Sequence, residues 1–269
     1  MSYREALSNR TMAISTSESP DMLVLGLSNQ HLRDAMAEIA RHLLACGATL
    51  AYGGDLRKHG FTKLLFELVA RSQRDVDEDN EKASVLNYLA WPVHIQKTVA
   101  EIDQYNNDLA GTAALIFLDL EGRILTKDER MIMPQVQPSE KEWVQGLTSM
   151  RKVMCDKTDA RIILGGRVEN YKGSMPGIAQ EALFSLQAKQ PLFLIGGFGG
   201  CTRDIAETLN LIYPWRDSPS AWAGREMFEN FAGDDLNNGL SAEENATLAR
   251  TSHIDQAIAL ILSGLLRQK

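Results

Sequence analysis

Three short apolar runs in this chain each end in a pair of glycines, and a helix-like pattern follows each pair. They cover residues 49–54, 161–166 and 192–200. Glycine permits a sharp turn with positive φ and lets a ligand approach the backbone. A repeated strand, glycine turn and helix places backbone N–H groups at the carboxyl edge of a parallel sheet, where anions bind. The pattern predicts a phosphate-binding edge, and plain turn geometry is the alternative interpretation of each pair.

Further strand-like segments alternate with helical ones along the chain. Strands are predicted at 84–91 and 113–118, and helices at 95–109 and 140–156. With 269 residues and 44% hydrophobic content, the chain can bury a full core. The alternation predicts an α/β fold with a doubly wound, mainly parallel Rossmann-like sheet and helices on both faces, because parallel neighbours need crossover connections.

The domain organisation follows from where this alternation begins and breaks. Residues 1–20 are polar and rich in Ser and Thr, and we predict a flexible N-terminal arm there. A single domain is expected over 21–269, with its first strand at 22–26. Near 213–250 the alternation is lost, and the start of this stretch holds two prolines and two of the four tryptophans. We predict that it is an inserted segment or lid.

Charge and composition exclude several classes of function. A net charge of −7 and a pI near 5.3 oppose binding to duplex nucleic acid or to anionic lipid. The three cysteines are far apart, and the five histidines share no metal-ligand spacing, so we expect no disulfide, metal or cofactor. No signal peptide or run of about 18 apolar residues is present, which favours a cytoplasmic protein without a membrane partner.

The third glycine turn offers the strongest candidate phosphate site. Its main-chain amides and the positive end of the following helix would hold the anion. Arg203, one turn into that helix, is predicted to add a bidentate contact, or else to pair with Asp204 or Glu207. Cys201 is interpreted as a small packing residue rather than a nucleophile. The predicted ligand-binding glycines of this turn are Gly196, Gly197, Gly199 and Gly200.

The second turn combines Gly165 and Gly166 with Arg167, a candidate phosphate ligand. Tyr171 could stack on a base, although an aromatic residue in such a loop more often fixes the loop in place. Glu181, one turn inside the next helix, is the candidate catalytic residue. Its carboxylate would accept ribose hydroxyls or stabilise an oxocarbenium-like centre during cleavage of an N-glycosidic bond. A plain helix acid, favoured by the dipole, is the alternative.

The first turn contributes Gly53, Gly54 and Arg57 as candidate ligand-binding residues. Arg57 is predicted to face a phosphate. The alternative is a solvated charge, because a cation after a strand commonly points into water.

Two motifs together resemble a known group of proteins. Residues 165–181 read Gly-Gly-Arg-x-x-x-Tyr-x-Gly-x-x-Pro-Gly-Ile-x-x-Glu, and residues 196–200 read Gly-Gly-Phe-Gly-Gly. This pairing resembles the SLOG superfamily of Rossmann-like domains, over most of residues 22–210. The group includes cytokinin-activating phosphoribohydrolases, the DNA-processing protein of natural transformation, and sensor domains for NAD-derived nucleotides. The resemblance implies a small-molecule nucleotide ligand, a role in bacterial defence signalling, and a homo-oligomer or an effector partner chain.

Departures from the enzymatic members separate two hypotheses. The phosphoribohydrolases carry Pro-Gly-Gly-x-Gly-Thr-x-x-Glu, whereas this chain has Ile195 for the proline, Gly200 for the threonine and Arg203 for the catalytic glutamate. The leading hypothesis is therefore a module that binds an NAD- or ADP-ribose-derived nucleotide. The alternative is an N-glycosidase, deoxyribosyltransferase-like or phosphoribohydrolase-like enzyme that uses Glu181, in a segment similar to the transferases' Gly-Thr-x-x-Glu with Ile178 for Thr. An oligomerisation scaffold without a ligand is a third possibility.

Overall fold

A seven-stranded sheet forms the centre of the protein in the computed structural model, which describes residues 5–54, 84–109, 113–217 and 220–268. In spatial order the strands run β5-β4-β3-β2-β1-β6-β7. Their bounds are β1 Thr11–Ser17, β2 Thr49–Gly53, β3 Val85–Leu89, β4 Ala113–Leu118, β5 Ile124–Leu125, β6 Ala160–Gly165 and β7 Leu192–Ile195.

Strand pairing is parallel except at one edge, where β5 pairs antiparallel with β4. The chain adds strands on one side of β1 as far as β5, and then returns to place β6 and β7 on the other side. The strand order therefore reverses between β1 and β6, which makes that crevice the topological switch point of the sheet. The predicted Rossmann-like α/β fold is confirmed.

Helices cover both faces of this sheet. They are α1 Asn29–Ala45, α2 Trp91–His94, α3 Val99–Asp108, α4 Lys127–Met131, α5 Glu140–Asp156, α6 Gly177–Gln187, α7 Gly200–Thr208, α8 Ala242–Arg250 and α9 Ile254–Arg267. Side chains alternate along each strand, so neighbouring residues pack on opposite faces. Ile162 and Leu164 join the core cluster that contains residues of α1 and α9, while Ile163 packs with residues of α6 and α7.

The N-terminal segment differs from the sequence-based prediction. Residues 1–20 were expected to form a flexible arm, but Thr11–Ser17 is an interior strand of the sheet, hydrogen-bonded to β2 and β6. Ser15 and Thr16 in its polar carboxyl half are buried, and the Ser15 hydroxyl accepts a hydrogen bond from the buried Arg161 at 2.8 Å. A long-range polar contact, invisible in the local pattern, overrides the polar composition of the segment.

The strand expected at 22–26 is a turn. Met22 is buried in the core, but Leu23 and Val24 are 88% and 74% exposed. The helix expected over 95–109 begins at Val99, because the Thr98 hydroxyl accepts from the backbone N–H of Glu101 and caps the new helix. Among the described residues, we find no helix with the length and hydrophobicity that a membrane span requires.

Candidate functional site

The three glycine pairs lie at the carboxyl ends of β2, β6 and β7, so they share one edge of the sheet as predicted. The second and third turns are in direct contact. The Cys201 N–H donates to the Gly166 carbonyl at 3.2 Å, and a Cβ on Gly166 would lie 2.4 Å from the Cys201 sulfur. Gly166 has φ +110°, so both its backbone conformation and its surroundings require glycine.

The third turn already holds an oxyanion that the chain itself supplies. The Gly200 N–H donates to Asp21 Oδ2 at 2.8 Å, and Asp21 is buried. Gly199, with φ +71° and ψ −154°, and Gly200, with φ +67°, shape this turn at the start of α7. Sequence reasoning missed Asp21, because residues 22–26 were interpreted as a strand rather than a turn that delivers a carboxylate.

Two arginines and a tryptophan line the same turn. Arg216 pairs with the other carboxylate oxygen of Asp21. The Trp215 ring lies 4.9 Å from the Arg216 guanidinium and 5.1 Å from that of Arg203. Arg203 also pairs with Glu207 at 2.9 Å, which is the alternative partner considered from the sequence. The phosphate contact of Arg203 stays a prediction.

The segment after α7 packs back on that helix. Trp222 donates through Nε1 to Asp204 Oδ2 at 2.9 Å, and Arg225 lies 3.5 Å from Asp204 Oδ1. Burial raises the pKa of Asp204 and that of Glu207, although hydrogen bonds from Trp222 and Arg203 respectively oppose the increase. The segment after α7 thus covers acidic side chains of that helix, and its interpretation as an insertion or lid stays a prediction.

The second turn is tied to the end of β1. The Gly166 N–H donates to the Ser17 carbonyl at 3.0 Å, and the Arg167 N–H donates to the Ser17 hydroxyl at 3.2 Å. The Arg167 guanidinium pairs with Glu18 at 2.6 Å at an exposed position. Ser17 and Glu18 were also missed, since they belong to the segment interpreted as an arm.

Other predicted site residues have internal contacts. The Tyr171 hydroxyl accepts from the Ala223 N–H at 3.4 Å, which links its loop to the segment after α7. Cβ atoms on Gly196 and Gly197 would lie 2.4 and 2.0 Å from the carbonyl oxygens of Ala249 and Thr251. Close packing thus explains these two glycines, and their ligand contacts stay predictions.

The first turn is only partly described. The Gly54 N–H donates to the Tyr88 carbonyl, and a Cβ on Gly54 would meet the Asn87 side chain. Arg57 lies outside the described residues. Burial strongly raises the pKa of the Cys201 thiol, which supports its interpretation as a packing residue rather than a nucleophile.

Glu181 sits in a buried charge cluster with two arginines. Arg161 donates through Nη1 to Glu181 Oε2 at 3.2 Å and through Nε to the Ser185 hydroxyl. Arg151 Nε lies 3.9 Å from Glu181 Oε1, and Arg151 Nη1 donates to Gln180 at 2.6 Å. Burial lowers the pKa of Arg151, although the charge of Glu181 opposes the decrease. The cluster holds two cations for one carboxylate.

Two nitrogens of this cluster have open hydrogen-bonding positions, and one oxygen of Glu181 lies close to Gly53 at the glycine edge. Arg161 Nη2 and Arg151 Nε have no hydrogen-bond partner among the described residues, since the 3.9 Å ion pair of Arg151 Nε with Glu181 Oε1 is too long for a hydrogen bond. A Cβ on Gly53 would lie 3.8 Å from Glu181 Oε1, and one on Gly177 would lie 2.5 Å from Arg151 Nη2. Sequence reasoning missed both arginines. Arg161 carried a usable signal, since an arginine inside an otherwise apolar strand needs a buried partner.

A parallel sheet with glycine turns at its switch point defines a Rossmann-like domain of the nucleotide-related class. The comparison with protein families agrees with this assignment. The model of the family described as SLOG cluster2 matches residues 6–234, and the chain belongs to that family. Among curated proteins, no match to the chain was found.

Proposed function

We propose that this protein binds a nucleotide derived from NAD or ADP-ribose at the carboxyl edge of β1, β2, β6 and β7. The observation that carries the proposal is the hydrogen bond from Gly200 N–H to Asp21 Oδ2, because it marks an oxyanion position at a glycine turn. An amide donor at the positive end of a helix suits a phosphate oxygen as well as a carboxylate. Membership of the SLOG cluster2 family supports the same class of ligand.

The second half of the proposed ligand is a ribose near Glu181. A carboxylate can accept hydrogen bonds from two neighbouring hydroxyl groups, and its pairing with Arg151 and Arg161 fixes its position. The excess positive charge of this cluster favours an anionic group close to the ribose. A phosphorylated ribose meets both requirements, which is why we favour a nucleotide over a free nucleoside.

We also propose a cytoplasmic location for this protein. A reducing cytoplasm suits the three unpaired thiols, Cys46, Cys155 and Cys201. In a defence-signalling role, ligand binding would be read by a second copy of the chain or by an effector chain.

A thermal-shift screen with ADP-ribose, NAD and AMP tests the proposal. A ligand at a hundred times its Kd adds about 2.7 kcal/mol to the free energy of unfolding, which raises Tm by roughly 5 to 10 °C for a chain of this size. Arg203→Ala and Arg167→Ala should each reduce the shift. Arg123→Ala, which removes an exposed arginine from the distant β4–β5 hairpin, should leave it unchanged. No shift with any of the three nucleotides contradicts the proposal.

An N-glycosidase is the second candidate, and the buried position of Glu181 beside Gly53 favours it. Incubation with NAD, AMP and deoxynucleosides, followed by detection of free base, separates the two functions. Turnover that Glu181→Gln abolishes, with the circular dichroism spectrum unchanged, would make the protein an enzyme. Binding without base release supports the sensor.

A further inference from the structure

Asp21 fits the α7 turn closely. The exposed fraction of its side chain is 3%, and its two oxygens contact the Gly200 N–H and the Arg216 guanidinium. A Cβ on Gly199 would lie 2.5 Å from the Asp21 Cβ, so Gly199 is needed for the aspartate to reach the turn at all. The turn is therefore shaped around an internal carboxylate.

A ligand phosphate and the Asp21 carboxylate cannot occupy this position together. Two negative charges within about 4 Å repel each other strongly in a partly buried site. Removal of the carboxylate would leave the Gly200 amide, the positive end of α7 and Arg216 without their anion. These are the groups that a phosphate requires.

The contacts of Asp21 allow it to leave without disruption of the core. It begins the surface turn over residues 21–26, where its carbonyl accepts from the Leu25 N–H at 3.0 Å. The tip residues Leu23 and Val24 are exposed, and the Arg216 side chain is 37% exposed. Solvent therefore reaches the cation that holds the carboxylate, and the turn carries little buried apolar surface beyond Met22.

We propose that Asp21 is an autoinhibitory latch that occupies the anion position of the α7 turn until a ligand phosphate displaces it. The latch rests on the proposed function, since it acts on the same site. It lowers the affinity for every anion, and it selects ligands whose anionic group binds the turn more strongly than a carboxylate does. A diphosphate, with its greater charge and more acceptor oxygens, is such a group.

Isothermal titration calorimetry with pyrophosphate and with ADP-ribose tests the latch. Asp21→Asn keeps the volume and removes the charge, and Asp21→Ala also removes the oxygens. Both should bind pyrophosphate at least about tenfold more tightly than the wild type, which corresponds to about 1.4 kcal/mol. Asp34→Asn, the same change at an exposed position on α1, is the control for net charge and should leave the affinity within about twofold.

The outcomes separate the latch from the proposed function. Unchanged or weaker pyrophosphate binding by Asp21→Asn overturns the latch, because the aspartate would then be neutral or a ligand contact. Tighter pyrophosphate binding without any ADP-ribose binding supports the latch and contradicts the nucleotide proposal. If both Asp21 variants fail to fold, a fluorescence measurement on the wild-type protein tests the latch instead. Pyrophosphate should then change Trp215 fluorescence as Arg216 exchanges partners, with Trp215→Phe as the blank, and a constant signal overturns the latch.

Discussion

Charge is balanced at the α7 turn and unbalanced around Glu181, although both regions lie along the same edge of the sheet. At the turn, Arg203 pairs with Glu207, and Arg216 pairs with Asp21. Around Glu181, Arg151 and Arg161 share one carboxylate, and each keeps a nitrogen without a hydrogen-bond partner among the described residues. The same edge thus contains one anion position that is filled and one cationic cluster that is incomplete.

Because of this difference, we expect an anionic ligand to bind the two regions in different ways. At the turn, an incoming anion must compete with an internal carboxylate, so the cost of displacement reduces its affinity. At the cluster, an anion adds a partner to buried cations that already bear a desolvation cost. For a ligand with two separated polar groups, contacts with the cluster would supply most of the affinity. Competition with the internal carboxylate at the turn would determine which ligands bind.

The largest expected effect is at the unbalanced cluster. Glu181→Ala removes the only carboxylate that the described structure places there, so two buried guanidinium groups lose their counter-charge. We expect a loss of about 3 to 5 kcal/mol in the free energy of unfolding, measured by urea denaturation. Arg161→Met in the same chain should offset part of this loss, with a coupling energy of at least about 1 kcal/mol. Additive effects of the two substitutions would show that the pair does not interact.

His94 and Arg130, beside β4, form a second region of unbalanced charge. This region is away from the candidate ligand site, so it reports the cost of charge burial alone. His94 Nε2 lies 2.8 Å from the Leu118 carbonyl oxygen, and Arg130 donates to the carbonyl of His94. Burial and the neighbouring charge of Arg130 lower the pKa of His94 to about 4, although the hydrogen bond to Leu118 opposes the decrease.

The unfolded chain therefore binds a proton below pH 6.5 that the folded protein does not. Stability should fall by about 3 kcal/mol as the pH decreases from 6.5 to 4, and be fully restored above 6.5. His94→Gln can keep a donor to Leu118 without the titration. The difference between the wild-type and His94→Gln curves of unfolding free energy against pH gives the contribution of His94. Parallel curves would contradict a lowered pKa for His94.

Some of the physical signals that determine this fold lie within a few residues of the sequence, and others join residues far apart in the chain. Short-range patterns predicted α5, β4 and the shared edge of the glycine turns, because periodicity and backbone conformation are encoded within a few residues. Thr11–Ser17 was misinterpreted because its Ser15 is satisfied by Arg161, which lies 146 positions away along the chain. Asp21 was missed for the same reason, since its partners are Gly200 and Arg216. Charge pairs across the sheet depend on topology, which no local window contains.

The α7 turn, where charge is balanced, packs closely against the backbone of the second glycine turn. Gly200→Ala tests this contact. Gly200 has φ +67°, and a Cβ there would lie 2.2 Å from the Gly166 carbonyl oxygen, which is backbone and cannot rotate away. Gly26 is the matched control, with φ +69° and no atom within 4 Å of its Cβ position. We expect a loss of about 1 kcal/mol for Gly26→Ala from left-handed strain alone. Gly200→Ala should lose about 2 to 3 kcal/mol, and equal losses would show that the turns separate easily.

The smallest effect is expected where charge is balanced but exposed. Arg167 and Glu18 pair at 2.6 Å with side chains that are 42% and 56% exposed, so water and salt screen their attraction. Glu18→Gln should change the free energy of unfolding by less than about 0.5 kcal/mol, and by less still in 1 M NaCl. The same substitution frees Arg167 for a ligand at almost no structural cost. A large, salt-independent loss in the free energy of unfolding would show that the Arg167–Glu18 pair is part of the buried network. Glu18 would then resemble the buried Asp21 rather than contrast with it.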